Sequence, residues 1–312
     1  MIAIPLAKKI AELFLILFAT AALVKTGVLK AEYSRALSRL TLYFVTPCVI
    51  FCSFQEKLTP QIIGGLLTAG GLAIVFQAIF FLIAGLLRRF WRATEVERAS
   101  VVFTNVGNLI VPLVAYVKGP DWVIYTSAYI FVFNVLFWTV GVRMFDSDQR
   151  LSLRRVLLNP NILAIAAGFL MLLTGLELPE PLALAFSDVA AMIGPLNMMI
   201  TGMVVGGMTL GGLFANRRVF GVLFFRMVLS SGLAVLAAAL AARALPVDQA
   251  IVLLPLLGAL APSASNINQL AILYRKDAAY ASAINVLTNL CCILSMPLWI
   301  MVYEALAGGI PG

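Results

Sequence analysis

The strongest constraint on this chain is a series of long apolar segments that together fill most of its 312 residues. Segments such as residues 64–87 are apolar on every face, whereas the strands of a membrane barrel alternate between apolar and polar positions. Each segment is long enough for a helix that crosses the hydrocarbon core of a bilayer, which needs about 20 residues. Ten segments are predicted, near residues 6–24, 36–55, 61–87, 99–117, 122–142, 156–175, 182–213, 219–242, 249–273 and 279–304. The sequence therefore predicts an all-α polytopic membrane protein without a separate soluble domain.

Composition narrows the functional classes. Residues of the set AVILMFWYC make up 62% of the chain and charged residues 12%, against about 45–50% and about 25% in soluble domains. The chain has no histidine, which excludes imidazole catalysis and histidine-ligated metal sites. No HExxH motif, Ser/His pair or phosphate-binding glycine motif occurs. We therefore expect neither an enzyme nor a bound cofactor or metal, and we interpret the net charge of +8 as basic loops rather than nucleic-acid binding.

The distribution of basic residues predicts the orientation. If the N-terminus is outside, the inside loops hold sixteen of the 22 Lys and Arg residues and the outside loops hold five. Positively charged loops stay on the cytoplasmic side, so both termini are expected outside a plasma (inner) membrane. One alternative stays open, because Lys8 and Lys9 before the first apolar run are also typical of a cleavable signal peptide. Cleavage would leave nine helices.

Ten segments divide into two halves of five, and an odd number per half requires the second half to enter the membrane from the opposite side. Three pairs of residues recur at nearly the same offset between the halves: Pro47 with Pro195, Pro112 with Pro262, and Asn134 with Asn285. The sequence therefore predicts an inverted repeat, with a first five-helix unit over residues 1–142, a short cytoplasmic linker over 143–155 and a second unit over 156–312.

The fourth and ninth segments combine proline, glycine and clustered Asn or Ser at mid-membrane depth. Proline lacks an amide hydrogen and disrupts the preceding helical turn, and non-helical backbone inside a bilayer must be buried or line a cavity. We expect both segments to be interrupted helices that meet at a substrate cavity. The candidate binding residues are Asn105, Asn108, Pro112, Asn134, Arg226, Pro262, Ser263, Ser265, Asn266, Asn268 and Asn285, with Asn289 as a weaker candidate.

Charge within the membrane indicates an anionic substrate. Arg226 lies eight residues beyond Arg218, or about 12 Å along a helix. It either contacts the substrate, reaches back to the interface, or binds carbonyls freed in the ninth segment. The N-termini of half-helices carry partial positive charge that suits a carboxylate. No acidic residue is predicted at the midplane, which disfavours an antiporter built on paired aspartates, while sodium coupling through Asn, Ser and carbonyl oxygens stays open.

Four stretches carry a resemblance to a known family: NVGNLIVPL, NPNILAIAAGFL, GPLNMMITGMVVGG and ALAPSASNINQLAILY. In these residues the chain resembles the auxin efflux carrier family of transporters, whose bacterial members are often described as malonate or malate permeases. The resemblance implies a fold similar to bile-acid and sodium/proton transporters, with crossed broken helices 4 and 9. It also implies that Pro112 and Pro262 mark the crossing, that helices 1, 2, 6 and 7 form a scaffold and a homodimer, and that the other helices move like an elevator.

Two departures weaken auxin itself as the substrate. The linker over residues 143–155 is short, and the stretch 48–51 after Pro47 is apolar. We therefore expect a transporter of a small organic anion, a carboxylate. A passive organic-anion channel and a sodium-coupled symporter of the bile-acid type are the alternatives. The GxxxG spacings of Gly202 with Gly206 and of Gly207 with Gly211 are interpreted as close helix packing rather than chemistry.

Overall fold

The computed structural model describes residues 3–308 except 53, 56–58, 111–112, 115–117, 120–121, 146–157, 159, 210, 212–213 and 215. Within these residues the regular structure is helical, and one isolated β-bridge is the sole strand-like pairing. The first half contains α1 (Ala3–Lys25), α2 (Ala31–Cys52), α3 (Pro60–Phe90), α4 (Glu95–Val102), α5 (a π-helical turn, Val106–Ile110) and α6 (Val123–Phe145). The second half contains α7 (Pro160–Thr174), α8 (Glu180–Gly207), α9 (Arg218–Ala244), α10 (Gln249–Leu260), α11 (Asn266–Leu273) and α12 (Ala278–Ala307).

Six of the described helices are long and apolar enough to cross a membrane, namely α2, α3, α6, α8, α9 and α12, and α7 and α10 are shorter apolar helices. The all-α class predicted from the sequence is therefore confirmed. The count of ten crossings, the inverted repeat and its boundaries stay predictions, and the linker lies outside the described residues from position 146 onward.

Local sequence explains where several helices begin. Thr59 caps α3 by accepting a hydrogen bond from the amide of Ile62, and Pro60 follows at the first helical position, where its missing amide costs nothing. Thr94 and Glu97 form a reciprocal capping box at α4. Asp248 and Asp277 cap α10 and α12 through their carboxylates. These polar residues end the loops and fix where each apolar helix starts.

The helices pack as two groups. The frame group consists of α1, α2, α7 and α8, in which α8 packs along α1 while α7 and α8 both contact α2. The crossing group consists of α3 to α6 and α9 to α12, which pack mainly on one another. The groups meet where α1 contacts α12 and α6 contacts α7. The helices of each group thus contact one another more than they contact helices of the other group, so a boundary runs between the two groups.

The contact between α1 and α8 depends on glycine. A Cβ atom added at Gly202 would lie 2.4 Å from the carbonyl oxygen of Leu17, and one at Gly206 would lie 2.7 Å from that of Ala21. Real Cβ atoms do not approach backbone oxygens so closely, so only glycine permits this packing distance. The packing role is confirmed for Gly202 and Gly206 and also for Gly207, whose added Cβ would lie 2.5 Å from that of Ala31. It is wrong for Gly211, whose added Cβ would meet no described atom within 4 Å.

Candidate functional site

Both segments that combine proline with polar residues are interrupted. The chain leaves the helix between α4 and α5 and again between α10 and α11, and the two interruptions lie against each other. Two backbone hydrogen bonds join them, from the amide of Asn105 to the carbonyl of Pro262 at 2.8 Å and from the amide of Ala264 to the carbonyl of Phe103 at 2.9 Å. Each interruption therefore satisfies backbone groups that the other has freed. We call this contact between residues 103–105 and 262–264 the crossing. Pro262 lies in it, whereas Pro112 lies outside the described residues.

Arg226 on α9 binds the backbone of the crossing. Its side chain is fully buried, and its guanidinium lies 4.8 Å from the ring centre of Phe80. Nε and Nη2 donate to the carbonyl of Ala261 at 3.2 and 2.6 Å, Nη2 also donates to the carbonyl of Ala259, and Nη1 donates to that of Val101 at 3.5 Å. Of the roles left open for Arg226 by the sequence, the structure shows the bonding to freed carbonyls. Arg226 does not line either of the two cavities next to the crossing, of about 300 Å³ and about 30 Å³.

The last helix supports the crossing from another side. The Nδ2 of Asn285 donates to the carbonyl of Ser263 at 2.7 Å, and the amide of Ser263 donates to Oγ1 of Thr288 at 3.2 Å. Asn289, the weaker candidate, donates to the carbonyl of Asn285 at 2.8 Å. Asn285 and Thr288 thus brace the interrupted backbone, in which Ser263 is 1% exposed, whereas Asn289 bonds only within α12 among the described contacts.

A cavity of about 300 Å³ lies between the frame group and the crossing group. Helices α2 and α8 line it from the frame group, and α6, α11 and α12 line it from the crossing group. Four residues predicted from the sequence line this cavity: Ser265, Asn266, Asn268 and Asn285. Its volume suits a small organic molecule.

Two basic side chains that the sequence analysis missed as site residues also line this cavity. Arg35 and Arg39 are four residues apart, so they project from one face of α2. Both had been counted as inside-loop charges, since Arg35 precedes the predicted start of the apolar segment at residue 36 and Arg39 follows that start by only three residues, whereas the helix begins at Ala31. Among the described residues that line the cavity none is acidic. The local charge therefore favours an anion.

Two buried polar atoms beside the large cavity have no hydrogen-bond partner among the described residues. They are the indole Nε1 of Trp138 on α6 and the Oδ1 of Asn268 on α11. A buried polar atom left unpaired costs about 1–3 kcal/mol. Such atoms at the wall of a cavity are suited to pair with a ligand or with water.

A second, smaller cavity of about 30 Å³ lies beside the crossing, with room for about one water molecule. The predicted residues Asn105, Asn134 and Asn266 line it. Residues that sequence reasoning missed complete the lining, among them Thr46, Thr104 and Asn161. Asn266 lines both cavities, because it begins α11 between them. Of Asn108, the structure gives only its backbone in the π-helical turn α5.

Charged residues join the helix ends of the crossing group on one face. The carboxylate of Glu97 accepts hydrogen bonds from Nε and Nη2 of Arg218 at 2.7 and 3.0 Å and from the hydroxyl of Tyr280 at 3.1 Å. Burial raises the pKa of Glu97, but these bonds outweigh it and hold the pKa below its usual range. Lys276 pairs with Glu95 at 2.7 Å. Three loops predicted on the inside thus meet on one face, while the side of the membrane that this face occupies stays a prediction.

Comparison with known proteins concerns the first half of the chain. Residues 5–151 match a family model described as membrane transport protein. The match covers α1 to α6, which is just under half of the chain, and includes the first interruption with Asn105. No curated protein matches the chain. The first half is therefore similar to membrane transport proteins.

Proposed function

We propose that this chain is a secondary transporter that moves a small organic anion across the membrane by alternating access. The observation that carries the proposal is the cavity of about 300 Å³ between the two helix groups, whose described lining combines Arg35 and Arg39 with Asn and Ser and contains no acidic residue. The match of residues 5–151 to membrane transport proteins supports the same class.

The lining favours a carboxylate over a cation or a neutral solute. Arginine binds carboxylates through a planar pair of donors. The first turn of α11 at Asn266 adds the partial positive charge of a helix N-terminus, and the indole of Trp138 adds an unpaired donor. A carboxylate in the cavity would therefore have a charged partner on α2 and neutral donors on α6 and α11.

The position of the cavity supports an elevator-type movement. A substrate there contacts the frame group on one side and the crossing group on the other. The crossing group is joined internally by the backbone pairing of the interruptions, by Arg226 and by the Glu97–Arg218 pair. If the crossing group moves as one body along the frame group, the polar residues of α11 and α12 carry the substrate with them while Arg35 and Arg39 stay behind.

Counterflow of radiolabelled malonate in proteoliposomes tests the proposal. We expect saturable uptake that is accelerated when unlabelled malonate is present on the opposite side, because a carrier exchanges substrate without returning empty. Unitary currents without counterflow would instead indicate a passive anion channel. Uptake that requires sodium would indicate a symporter of the bile-acid type. Absence of saturable exchange with malonate and with its monomethyl ester would contradict the proposal.

A matched pair of asparagine variants tests the site. Asn266→Ala removes a side chain that lines both cavities, and we expect KM to rise about tenfold or more, as for a lost hydrogen bond to a charged group. Asn197→Ala is the control, since Asn197 is also buried but donates to Ile193 within α8 and lines neither cavity. Equal effects of the two substitutions would remove Asn266 from the site.

A further inference from the structure

Arg226 is a full positive charge in the interior of the crossing group, and the part of the chain that the structure describes gives it no acidic partner. All of its described polar contacts are carbonyl oxygens, and none of the described ion pairs involves it. Arginine does not lose its proton inside proteins. The crossing therefore carries a permanent charge that carbonyl dipoles stabilise without neutralising.

The carbonyls that bind Arg226 lie at the ends of two half-helices. Helix α4 ends at Val102 and α10 ends at Leu260, so Val101, Ala259 and Ala261 present oxygens at the negative ends of two helix dipoles. In transporters with interrupted helices, freed carbonyls at such ends can coordinate a monovalent cation. Here the guanidinium already occupies these oxygens, because it donates to carbonyls from both half-helices.

We propose that Arg226 is the countercharge that travels with the substrate. This inference rests on the proposed elevator-type function. With a monovalent anion bound, the positive charge of Arg226 and the negative charge of the substrate cancel within the moving group. The loaded step then transfers no net charge, and the return of the empty carrier transfers one positive charge. With a divalent anion bound, the loaded step transfers one negative charge.

Exchange measured at two membrane potentials tests this charge assignment in the unmodified protein. Homoexchange involves only the loaded step, so its dependence on potential reports the charge of the loaded carrier. The probes are malonate, a dianion at neutral pH, and monomethyl malonate, a monoanion of similar size. A potassium gradient with valinomycin sets the potential in proteoliposomes that hold the same probe on both sides.

We expect exchange of monomethyl malonate to stay unchanged when the potassium gradient is raised to about a hundredfold, whereas exchange of malonate falls by at least about twofold. Net uptake of monomethyl malonate into vesicles that contain none should depend on the potential, because the empty carrier must return. Monoanion exchange that responds to the potential would overturn the inference while leaving transport itself established. Absence of saturable exchange would overturn the inference and the proposed function together.

Variants of α9 sharpen the test. In Arg226→Gln the internal charge is gone, so exchange of monomethyl malonate should become sensitive to the potential. Arg243→Gln is the control, because it removes the same charge from the exposed end of the same helix and should leave the wild-type pattern. Arg226→Lys, which keeps the charge, should also retain that pattern. If Arg226→Gln does not fold, monoanion exchange that responds to the potential in the unmodified protein still overturns the inference.

Discussion

Two close contacts between helix backbones, one in the frame group and one at the crossing, are made by opposite means. Between α1 and α8, close contact is possible because Gly202 and Gly206 have no side chain, and the helices stay regular. At the crossing, contact is achieved by breaking the helices, and the freed backbone groups are bound by one another and by Arg226. The first contact leaves both helices intact, which suits the frame group. The second brings polar backbone groups and the charge of Arg226 into the interior of the crossing group, next to the small cavity, where a site for a polar substrate can form.

The largest effect should follow from removing the charge at the crossing. Arg226→Met leaves the carbonyls of Ala259, Ala261 and Val101 without their donor, and each buried unpaired group costs about 1–3 kcal/mol. We expect the free energy of unfolding to fall by more than about 3 kcal/mol. Thermal unfolding of the purified protein in detergent measures this, and an unchanged Tm would show that the crossing does not need the guanidinium.

The next effect concerns the glycine contact. Gly206→Ala places a Cβ atom 2.7 Å from the carbonyl oxygen of Ala21, so α1 and α8 must separate at a cost of about 1–3 kcal/mol. Gly71→Ala on α3 is the matched control, because its Cβ would meet no atom within 4 Å. We expect a lower Tm for the first variant and an unchanged or slightly higher Tm for the control. Equal Tm values would contradict the packing role.

A smaller effect is expected at the charged face of the crossing group. Glu97 has a pKa below its usual range in the folded protein, so its pairing stabilises the fold fully above the unfolded value of about 4.3 and is lost as the pH falls through the folded value. Glu97→Gln should lower stability at neutral pH by about 1–3 kcal/mol and should flatten the decline of Tm below about pH 5. If the variant keeps the wild-type decline of Tm, titratable groups other than Glu97 cause that decline.

The smallest effect on stability should come from the basic pair in the cavity. Arg35 and Arg39 are exposed, so Arg35→Gln and Arg39→Gln should change the free energy of unfolding by less than about 0.5 kcal/mol. Because both line the cavity from α2, KM for malonate should still rise severalfold, and the rise should shrink at high salt. Transport assays at low and high ionic strength check this, and an unchanged KM would exclude both from the site.

Sequence reasoning found the interruptions because their cause is local. Pro262 and its neighbouring Ser and Asn residues disfavour a helix wherever they are placed. The partner of each interruption is not local, since Asn105 and Pro262 are bonded across more than 150 positions. The choice between the roles of Arg226 likewise depended on which carbonyls the fold brings to α9.

The basic pair was missed for a different reason. Residues 31–35 are polar enough to be assigned to a loop, and Arg39, at the start of the predicted segment, was counted with that loop. Only the structure shows that α2 begins at Ala31 and that Arg35 and Arg39 both line a cavity. Asn161 was missed because a single asparagine after Pro160 is typical of a helix start. Serines 34 and 38 share the spacing of the two arginines, and this four-residue recurrence was the signal available in the sequence.

The joint between the two interrupted segments is made of main-chain bonds, between Asn105 and Pro262 and between Phe103 and Ala264. Main-chain hydrogen bonds form between backbone amides and carbonyls, so they do not depend directly on which side chains the residues carry. Substitutions at Thr104 or Asn105 can therefore change the chemistry of the small cavity's wall while the main-chain bonds between the two segments persist. In a joint of this kind the bonds that hold the segments together are separate from the side chains that face the cavity, so the cavity can change while the joint is kept.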